Sequence, residues 1–269
     1  MPDPIPPILL VGCGRMGGAM LAGWRERGLG ASVAIDPAPQ AAKLAGGDLE
    51  VFPSPEQIPA GFRPEAVIFA VKPQNAPETL PAYTRFAPSA VCLSIMAGRT
   101  VASIRALIGV NAAVVRAMPN TPAAIRQGIT VACAGEGVNE RQHALCDTLL
   151  QAIGQVAWVG EERLLDPVTA VSGGGPAYVF LLAELLEQAA IRHGLPPDLA
   201  RAMARRTVSG SGALLAATDE DAAVLRRNVT SPGGTTEAAL RILMAEDAWP
   251  RLVDSAITAA TERSRQLAG

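Results

Sequence analysis

Hydrophobic and polar positions follow two different patterns along the chain. Up to residue 161, short continuous apolar runs are separated by glycine, proline and polar residues, which is typical of buried parallel strands. Helical spacing between several of the runs, as at 101–108 and 140–153, favours a doubly wound α/β sheet. The predicted strands cover residues 8–11, 32–35, 49–52, 66–71, 90–95, 113–118, 128–134 and 155–159.

Strand-like runs stop near residue 161, and the remaining apolar positions follow helical spacing. The glycine-rich stretch 172–176 is expected to interrupt the helical pattern. Helices with such large apolar faces are expected to bury them in a homodimer. We therefore predict an α/β domain over 1–161 and an all-helical substrate and dimerisation domain over 162–269. The predicted helices of the second domain cover 164–171, 177–192, 196–217, 220–228, 235–244 and 249–266.

The first predicted strand leads directly into a G-x-G-x-x-G motif that opens a helix. Gly12 would make the turn, Gly14 would admit a pyrophosphate, and Gly17 would let the helix pack on the strand. Cys13, Arg15 and Met16 complete the loop. In this strand–turn–helix context the motif predicts a dinucleotide site in a Rossmann-type domain.

Asp36 ends the second predicted strand, 19 residues after Gly17. That spacing suits a carboxylate that binds the adenosine ribose 2′-OH, which favours NADH over NADPH. Lys43 is the nearest cation that follows it. The alternative is an ordinary strand-end Asp that opens a loop.

Two further strand ends are predicted to line the cofactor cleft, because ligands of such sheets bind beyond the carboxyl ends of the strands. One is Ala70-Val71-Lys72-Pro73 and the other contains Ala97-Gly98. The alternative for both is a turn that only terminates a strand.

A second anion site is predicted at Thr230-Ser231-Pro232-Gly233-Gly234-Thr235-Thr236, which joins an apolar segment ending at Val229 to a helix. A hydroxyl residue is expected at the helix N-cap. Free N–H groups there attract a carboxylate or phosphate, and the glycines allow close approach. A capped turn without a ligand is the alternative.

The composition of the chain argues against several classes of function. A net charge of −2 argues against nucleic acid as the main partner. We expect no membrane span, because no uninterrupted run of about 18 apolar residues is present. Four cysteines without a C-x-x-C pair indicate reduced thiols of a cytoplasmic protein, and two histidines make a His-based metal site an unlikely fit.

Several motifs in order along the chain resemble the pyrroline-5-carboxylate reductase family. The motifs are the loop 12–17, Ala70 to Gln74, Ser94 to Gly98, Arg116 to Pro122, Ser172 to Phe180, and Thr230 to Thr236. The resemblance implies reduction of 1-pyrroline-5-carboxylate to proline by NADPH or NADH, with a helical dimerisation domain.

The resemblance also implies roles for individual residues. The loop 12–17 would hold the pyrophosphate, while Ala70 to Pro73 and Ala97-Gly98 would line the cofactor cleft. The substrate would be held by Val229, Ser231, Gly233, Gly234, Thr235 and Thr236, with the Thr236 hydroxyl on the ring nitrogen.

Three positions depart from the family pattern. Gly17 stands where many relatives have alanine, and Gly174 stands where serine is usual, which removes a hydroxyl. Asp36 does not suit the 2′-phosphate of NADPH, so the choice between the two cofactors stays open.

The available side chains favour an imine substrate over a ketone. A ketone reductase needs a general acid such as His, Lys or Tyr, and the second domain has no lysine and only His193. A protonated imine accepts hydride directly and needs mainly positioning and electrostatics. Tyr178 is the one side chain that could act as an acid, and an aromatic packed at a helix start is its alternative role.

Two other functions fit the residues of this chain less well. A β-hydroxyacid dehydrogenase would use a lysine on the first long helix of the second domain, and residues 177–192 contain none. A dinucleotide-binding regulator without turnover would need an altered substrate turn, whereas residues 230–236 are intact.

Overall fold

The structure is a computed structural model that describes residues 4–268. Its centre is an eight-stranded sheet in the order β3-β2-β1-β4-β5-β6-β7-β8. Neighbouring strands are parallel except for the β6–β7 pair, which is antiparallel. The strands are β1 Ile8–Val11, β2 Ser32–Ile35, β3 Leu49–Phe52, β4 Ala66–Phe69, β5 Val91–Ser94, β6 Val114–Met118, β7 Gly128–Ala134 and β8 Gly154–Trp158.

The first six strands have the order of a doubly wound dinucleotide-binding sheet. The predicted fold class is confirmed by this sheet together with the helical C-terminal part. Several predicted strands are longer than the observed ones at an end, because apolar residues continue past the last ladder hydrogen bond.

Alternate residues of the central strands supply two separate cores. Leu10, Ile68 and Leu93 belong to the core on one face, and Val11, Phe69 and Cys92 belong to the core on the other. This alternation follows from the period of two along a strand, and it explains why the strand sequences are apolar throughout.

Four helices accompany the sheet before residue 160. They are α1 Arg15–Glu26, α2 Ala76–Thr79, α3 Val101–Ile108 and α4 Glu140–Gln151. Trp24 of α1 is fully buried, and its Nε1 donates to the Leu149 carbonyl of α4 at 2.8 Å. The two helices therefore pack on the same face of the sheet.

The rest of the chain is helical, as the pattern predicts. The helices are α5 Leu165–Val168, α6 Gly175–Arg192, α7 Pro197–Ala216, α8 Ala222–Asn228, α9 Thr235–Leu243 and α10 Trp249–Ala268. The predicted break at 172–176 is largely wrong. A π-helical turn, Thr169–Gly173, carries α5 almost directly into α6, with a bend at Gly174. A wide turn of this kind absorbs the glycines without ending the helix.

The chain forms two compact units. The first includes residues up to Gly173 and also the stretch from Ala260 onward, and the second is Gly174–Ala259. In the first unit, Ser264 of α10 donates its hydroxyl to Asp166 Oδ1 at 2.7 Å in a buried site. The end of α10 is thus part of the unit that contains the sheet. The predicted boundary at residue 161 stays a prediction.

The sequence pattern predicts no membrane span, but one apolar helical segment is long enough to be a candidate. Glu162–Arg192 is 31 residues long and, by length and composition alone, apolar enough to cross a bilayer. The π-helical turn makes it one long helical segment, which a search for unbroken apolar runs misses. Only 6 % of its most apolar window is buried within the chain. A single helix of this kind is weak evidence for a membrane span, because a protein partner would cover the same surface.

Candidate active site

A cavity of about 840 Å³ lies at the carboxyl ends of β1, β2, β3 and β4. This is where a doubly wound sheet binds its ligand. It brings together six of the residues predicted to bind the cofactor, namely Gly12, Gly14, Asp36, Ala70, Val71 and Lys72.

Gly12 and Gly17 hold the loop in a shape that other residues would not permit. Gly12 has φ +95°, and a Cβ there would lie 2.8 Å from the Ala70 carbonyl oxygen. A Cβ at Gly17 would lie 2.1 Å from the Gly12 carbonyl oxygen. The start of α1 is therefore pressed against the ends of β1 and β4, as the motif predicts.

The first turn of α1 is open to an anion. Gly14 is the N-cap residue, no side chain caps the helix, and the first turn carries no acidic residue. A Cβ added at Gly14 would meet no atom within 4 Å. Free N–H groups and the helix dipole at such a start suit a phosphate. The residues present therefore fit the pyrophosphate of a dinucleotide.

Asp36 lies at the side of this loop and is held by two backbone donors. Cys13 N–H donates to Oδ2 at 2.6 Å, and Ala38 N–H donates to Oδ1 at 2.9 Å. Each oxygen retains acceptor capacity, so the carboxylate is fixed but still able to accept a ribose hydroxyl. Burial, and secondly the Asp36 charge, raise the pKa of the Cys13 thiol to about 12, so that thiol is neutral at physiological pH.

The other predicted cofactor residues lie near this cavity but do not line it. Arg15 and Met16 begin α1, and Arg15 is exposed. The Pro73 carbonyl accepts a hydrogen bond from Arg99 Nε at 2.9 Å, which ties the end of β4 to the turn that contains Ala97 and Gly98. A Cβ at Gly98 would lie 3.0 Å from Leu267 Cβ, at the end of α10.

Several cavity residues were not anticipated from the sequence. A usable signal existed for those after β3, because every loop that follows a parallel strand opens on the same edge of the sheet. The unanticipated lining residues are Pro37, Ala38, Pro53, Ser54, Pro55, Glu56, Asn75, Glu78, Thr79, Ala82 and Tyr83.

The predicted substrate residues form the turn between α8 and α9. Val229 is the C-cap residue of α8, and Thr235 and Thr236 are the first two residues of α9. The expected hydroxyl N-cap is wrong, because the N-cap residue is Gly234 and no side chain caps the helix. No side chain caps the first N–H groups of α9, which suits a carboxylate ligand, although Glu237 already places one carboxylate in the first turn of this helix.

Local hydrogen bonds, two of which involve side chains, hold this turn in place. Gly233 has φ +70°, a conformation that favours glycine. Its N–H donates to Glu237 Oε2 at 2.8 Å, and Gly234 N–H donates to the Ser231 carbonyl at 3.0 Å. Thr230 Oγ1 donates to the Arg226 carbonyl at 2.7 Å. The Thr235 and Thr236 side chains remain exposed.

No metal centre is present in the part of the chain that the structure describes, where three or more His, Cys, Asp or Glu side chains nowhere form a group that could hold an ion. His193 is exposed at the end of α6, as expected. Tyr178 is 41 % exposed in the first turns of the same helix.

Comparison with known proteins places the chain in a family. The model described as pyrroline-5-carboxylate reductase dimerisation matches residues 162–267, and the one described as NADP oxidoreductase, coenzyme F420-dependent, matches residues 7–98. A pyrroline-5-carboxylate reductase from Pseudomonas aeruginosa is 38 % identical over 98 % of this chain and 97 % of its own length.

Solved structures agree. A pyrroline-5-carboxylate reductase from Coxiella burnetii has a TM-score of 0.89 at 29 % identity and covers 97 % of this chain and 98 % of its own. The chain belongs to the pyrroline-5-carboxylate reductase family. A Plasmodium falciparum pyrroline carboxylate reductase with NADP bound has a TM-score of 0.81 at 26 % identity and covers 98 % of this chain and 99 % of its own.

Membership confirms the predicted family, the predicted activity and the predicted enzyme class. Pyrroline-5-carboxylate reductases are NAD(P)-dependent oxidoreductases that catalyse the last step of proline biosynthesis. The roles of individual residues, the preferred cofactor and the oligomeric state are finer matters that the family does not decide.

Proposed function

We propose that this chain reduces 1-pyrroline-5-carboxylate to L-proline in the cytoplasm with NADH or NADPH. The observation that carries the proposal is the uncapped start of α9 within the intact turn 230–236. A small cyclic imino acid has one carboxylate, and an open helix start is a site for one.

The cofactor site is the cavity at the carboxyl ends of β1 to β4. The loop 12–17 and the first turn of α1 bind the pyrophosphate, and Asp36 binds the adenosine ribose. Ala70 to Pro73 and Ala97-Gly98 flank the path to the nicotinamide end. When bound, the cofactor supplies a hydride.

The substrate carboxylate is bound by the first N–H groups of α9, with Ser231, Gly233 and Gly234 shaping the turn and Val229 beside it. The Thr236 hydroxyl accepts a hydrogen bond from the iminium N–H and so orients the ring. The hydride adds to the imine carbon, the π electrons of the C=N bond move to nitrogen, and nitrogen keeps the proton with which it entered. No protein acid is required, which agrees with the scarcity of Lys and His.

Self-association is part of the proposed function. Apolar side chains of α6 and α7 are exposed in the single chain, among them Phe180 at 68 % and Leu214 at 56 %. Soluble monomers rarely expose a contiguous apolar surface of this size. A second copy would cover it, in keeping with the dimerisation description of the matched family model, and a homodimer or a larger assembly of dimers results.

Initial rates of NADH and NADPH oxidation by purified protein with 1-pyrroline-5-carboxylate test the proposal. Turnover that yields proline is expected with at least one cofactor. Absence of turnover with both, in protein that binds dinucleotide, would refute the substrate assignment and favour another cyclic imine or a regulator.

A further inference from the structure

The adenosine end of the cofactor cavity carries two carboxylates from neighbouring loops. Asp36 follows β2 and Glu56 follows β3, and both line the cavity. The two strands end side by side, with Ile35 paired to Phe52 and Asp36 N–H donating to the Phe52 carbonyl at 3.1 Å. The loops 36–38 and 53–56 therefore form one acidic wall, defined here by Asp36 and Glu56.

Among the residues that the structure describes, the cavity lining holds a single cation, and it does not lie on the strands that carry this wall. Lys72 is the only basic residue among the described residues that line the cavity. It follows β4, which is two strands from β2 and three from β3. At about 4.8 Å per strand, the end of β4 lies about 10–14 Å from the ends of β2 and β3, farther than the Debye length of about 8 Å at physiological salt.

Two other basic residues, Lys43 and Arg15, are not among the residues that line the cavity. Lys43 lies in the 3₁₀ turn Pro39–Leu44 and is exposed outside the cavity. Arg15 lies at the start of α1, on the pyrophosphate side. The ion pairs found within residues 4–268 involve neither Asp36 nor Glu56.

The Asp36 carboxylate is held by hydrogen bonds, whereas Glu56 is exposed. Asp36 accepts the two backbone N–H groups described above. A hydrogen bond from the Ser54 side chain lowers the pKa of the Glu56 carboxyl, so Glu56 is ionised at neutral pH. Its negative charge also contributes, after burial, to raising the pKa of Tyr83, another cavity residue.

We propose that Glu56, together with Asp36, selects NADH over NADPH in this enzyme. A ribose 2′-OH donates a hydrogen bond to a carboxylate, whereas a 2′-phosphate brings nearly two negative charges against two carboxylates that form no ion pair among the described residues. The inference rests on the cofactor site of the proposed function and adds Glu56 as a residue that determines cofactor specificity.

The test compares both cofactors in binding and in turnover. The Kd values of NADH and NADPH are measured by fluorescence titration, and those of 5′-AMP and 2′,5′-ADP by calorimetry, alongside kcat/KM for each cofactor. The wild type is expected to favour the forms without the 2′-phosphate by about tenfold or more, which is the effect of about 1.4 kcal/mol. Glu56→Gln is expected to reduce that preference severalfold, and Asp36→Ala further.

Glu50→Gln is the matched control, because Glu50 is an exposed carboxylate on β3 outside the cavity. It should leave all ratios unchanged. Equal binding of the two cofactors by the wild type, or an unchanged ratio in Glu56→Gln, would overturn the inference while leaving the reductase function intact. Failure to bind either dinucleotide would refute the cofactor site itself, and with it both proposals.

Discussion

Arg116 and Glu162 form a largely buried ion pair at the carboxyl edge of the sheet. Arg116 Nη1 lies 2.9 Å from Glu162 Oε1, and the two side chains are 5 % and 30 % exposed. The same carboxylate oxygen accepts the Val101 N–H, the first of α3, at 2.7 Å. Glu162 therefore joins three segments: β6, the start of α3 and the connection that follows β8.

Removal of the Glu162 charge should destabilise the fold. Glu162→Gln leaves the Arg116 guanidinium buried without its counterion, which costs about 3–5 kcal/mol in a fully buried pair. Because Glu162 is partly exposed, we expect roughly 2 kcal/mol, measured as a lower urea midpoint.

Glu161, the residue before Glu162, provides the control for this experiment. Glu161 pairs with Arg163, and both side chains are mostly exposed, 59 % and 76 %. Glu161→Gln should change the free energy of unfolding by less than about 0.5 kcal/mol. Equal effects at the two positions would contradict the role given to the buried pair.

Thr236→Ala should lower kcat roughly tenfold, since one hydrogen bond to the reacting imine is lost. The Kd for NADH should change little, because Thr236 lies in the turn 230–236, which is proposed to bind the substrate, and does not line the cavity proposed to bind the cofactor. Thr236→Ser keeps the hydroxyl and should retain most of the rate. A normal kcat in Thr236→Ala would remove Thr236 from the mechanism.

Buried thiols should make the protein sensitive to alkali. Burial raises the pKa of Cys92 from 9.0 to about 12. Between those values the unfolded chain loses the thiol proton while the native state keeps it. The stabilising effect of the neutral thiol is therefore complete below pH 9 and is lost as the pH rises towards 12.

The loss of folding stability that comes from Cys92 is measurable with one variant, Cys92→Ala. From pH 8 to pH 10, Cys92 should account for about 1 kcal/mol of lost stability. Cys92→Ala should be less stable than the wild type at pH 8 but should lose about that much less between the two pH values, as urea titrations would record. Parallel losses in both proteins would mean that another group is responsible.

The exposed apolar face of α6 should mediate self-association. Light scattering is expected to give at least twice the chain mass of 27.8 kDa. Phe180→Glu should shift the protein towards the monomer, with its helical circular dichroism retained. Ile125→Glu is the control, since Ile125 has the same exposure, 67 % against 68 %, in the unit that contains the sheet. A monomeric wild type would refute the proposed dimer.

Much of the fold follows from local pattern, because strand runs and helix spacing are properties of short segments. The helix 101–108 and the strand 128–134 have the predicted bounds. The π-helical turn after α5 was not predictable, since glycines signal a break unless tertiary packing supports a wide turn. The tight turn at residues 12–17 was predictable because its glycine motif is a local signal between one strand and the next helix, although the atoms closest to a Cβ at Gly12 belong to Ala70 at the end of β4.

The residues that line the cavity show which parts of a site short sequence patterns do not predict. Asp36 was identifiable by its distance from the glycine motif, whereas Glu56 has no such marker. Its place depends on the pairing of β3 with β2, which is a property of the sheet and not of residues 53–56. The N-cap of α9 was misassigned for a related reason, because the hydroxyl residues of the turn do not reveal where helical geometry begins.

The bond between Ser264 and Asp166 has a consequence for how the protein is made. Asp166 emerges from the ribosome almost a hundred residues before Ser264. The sheet can pair as its strands appear, but the buried Asp166 carboxylate must wait for the last turns of α10. The unit that contains the sheet is therefore completed only after the chain of the second unit, Gly174–Ala259, has been made.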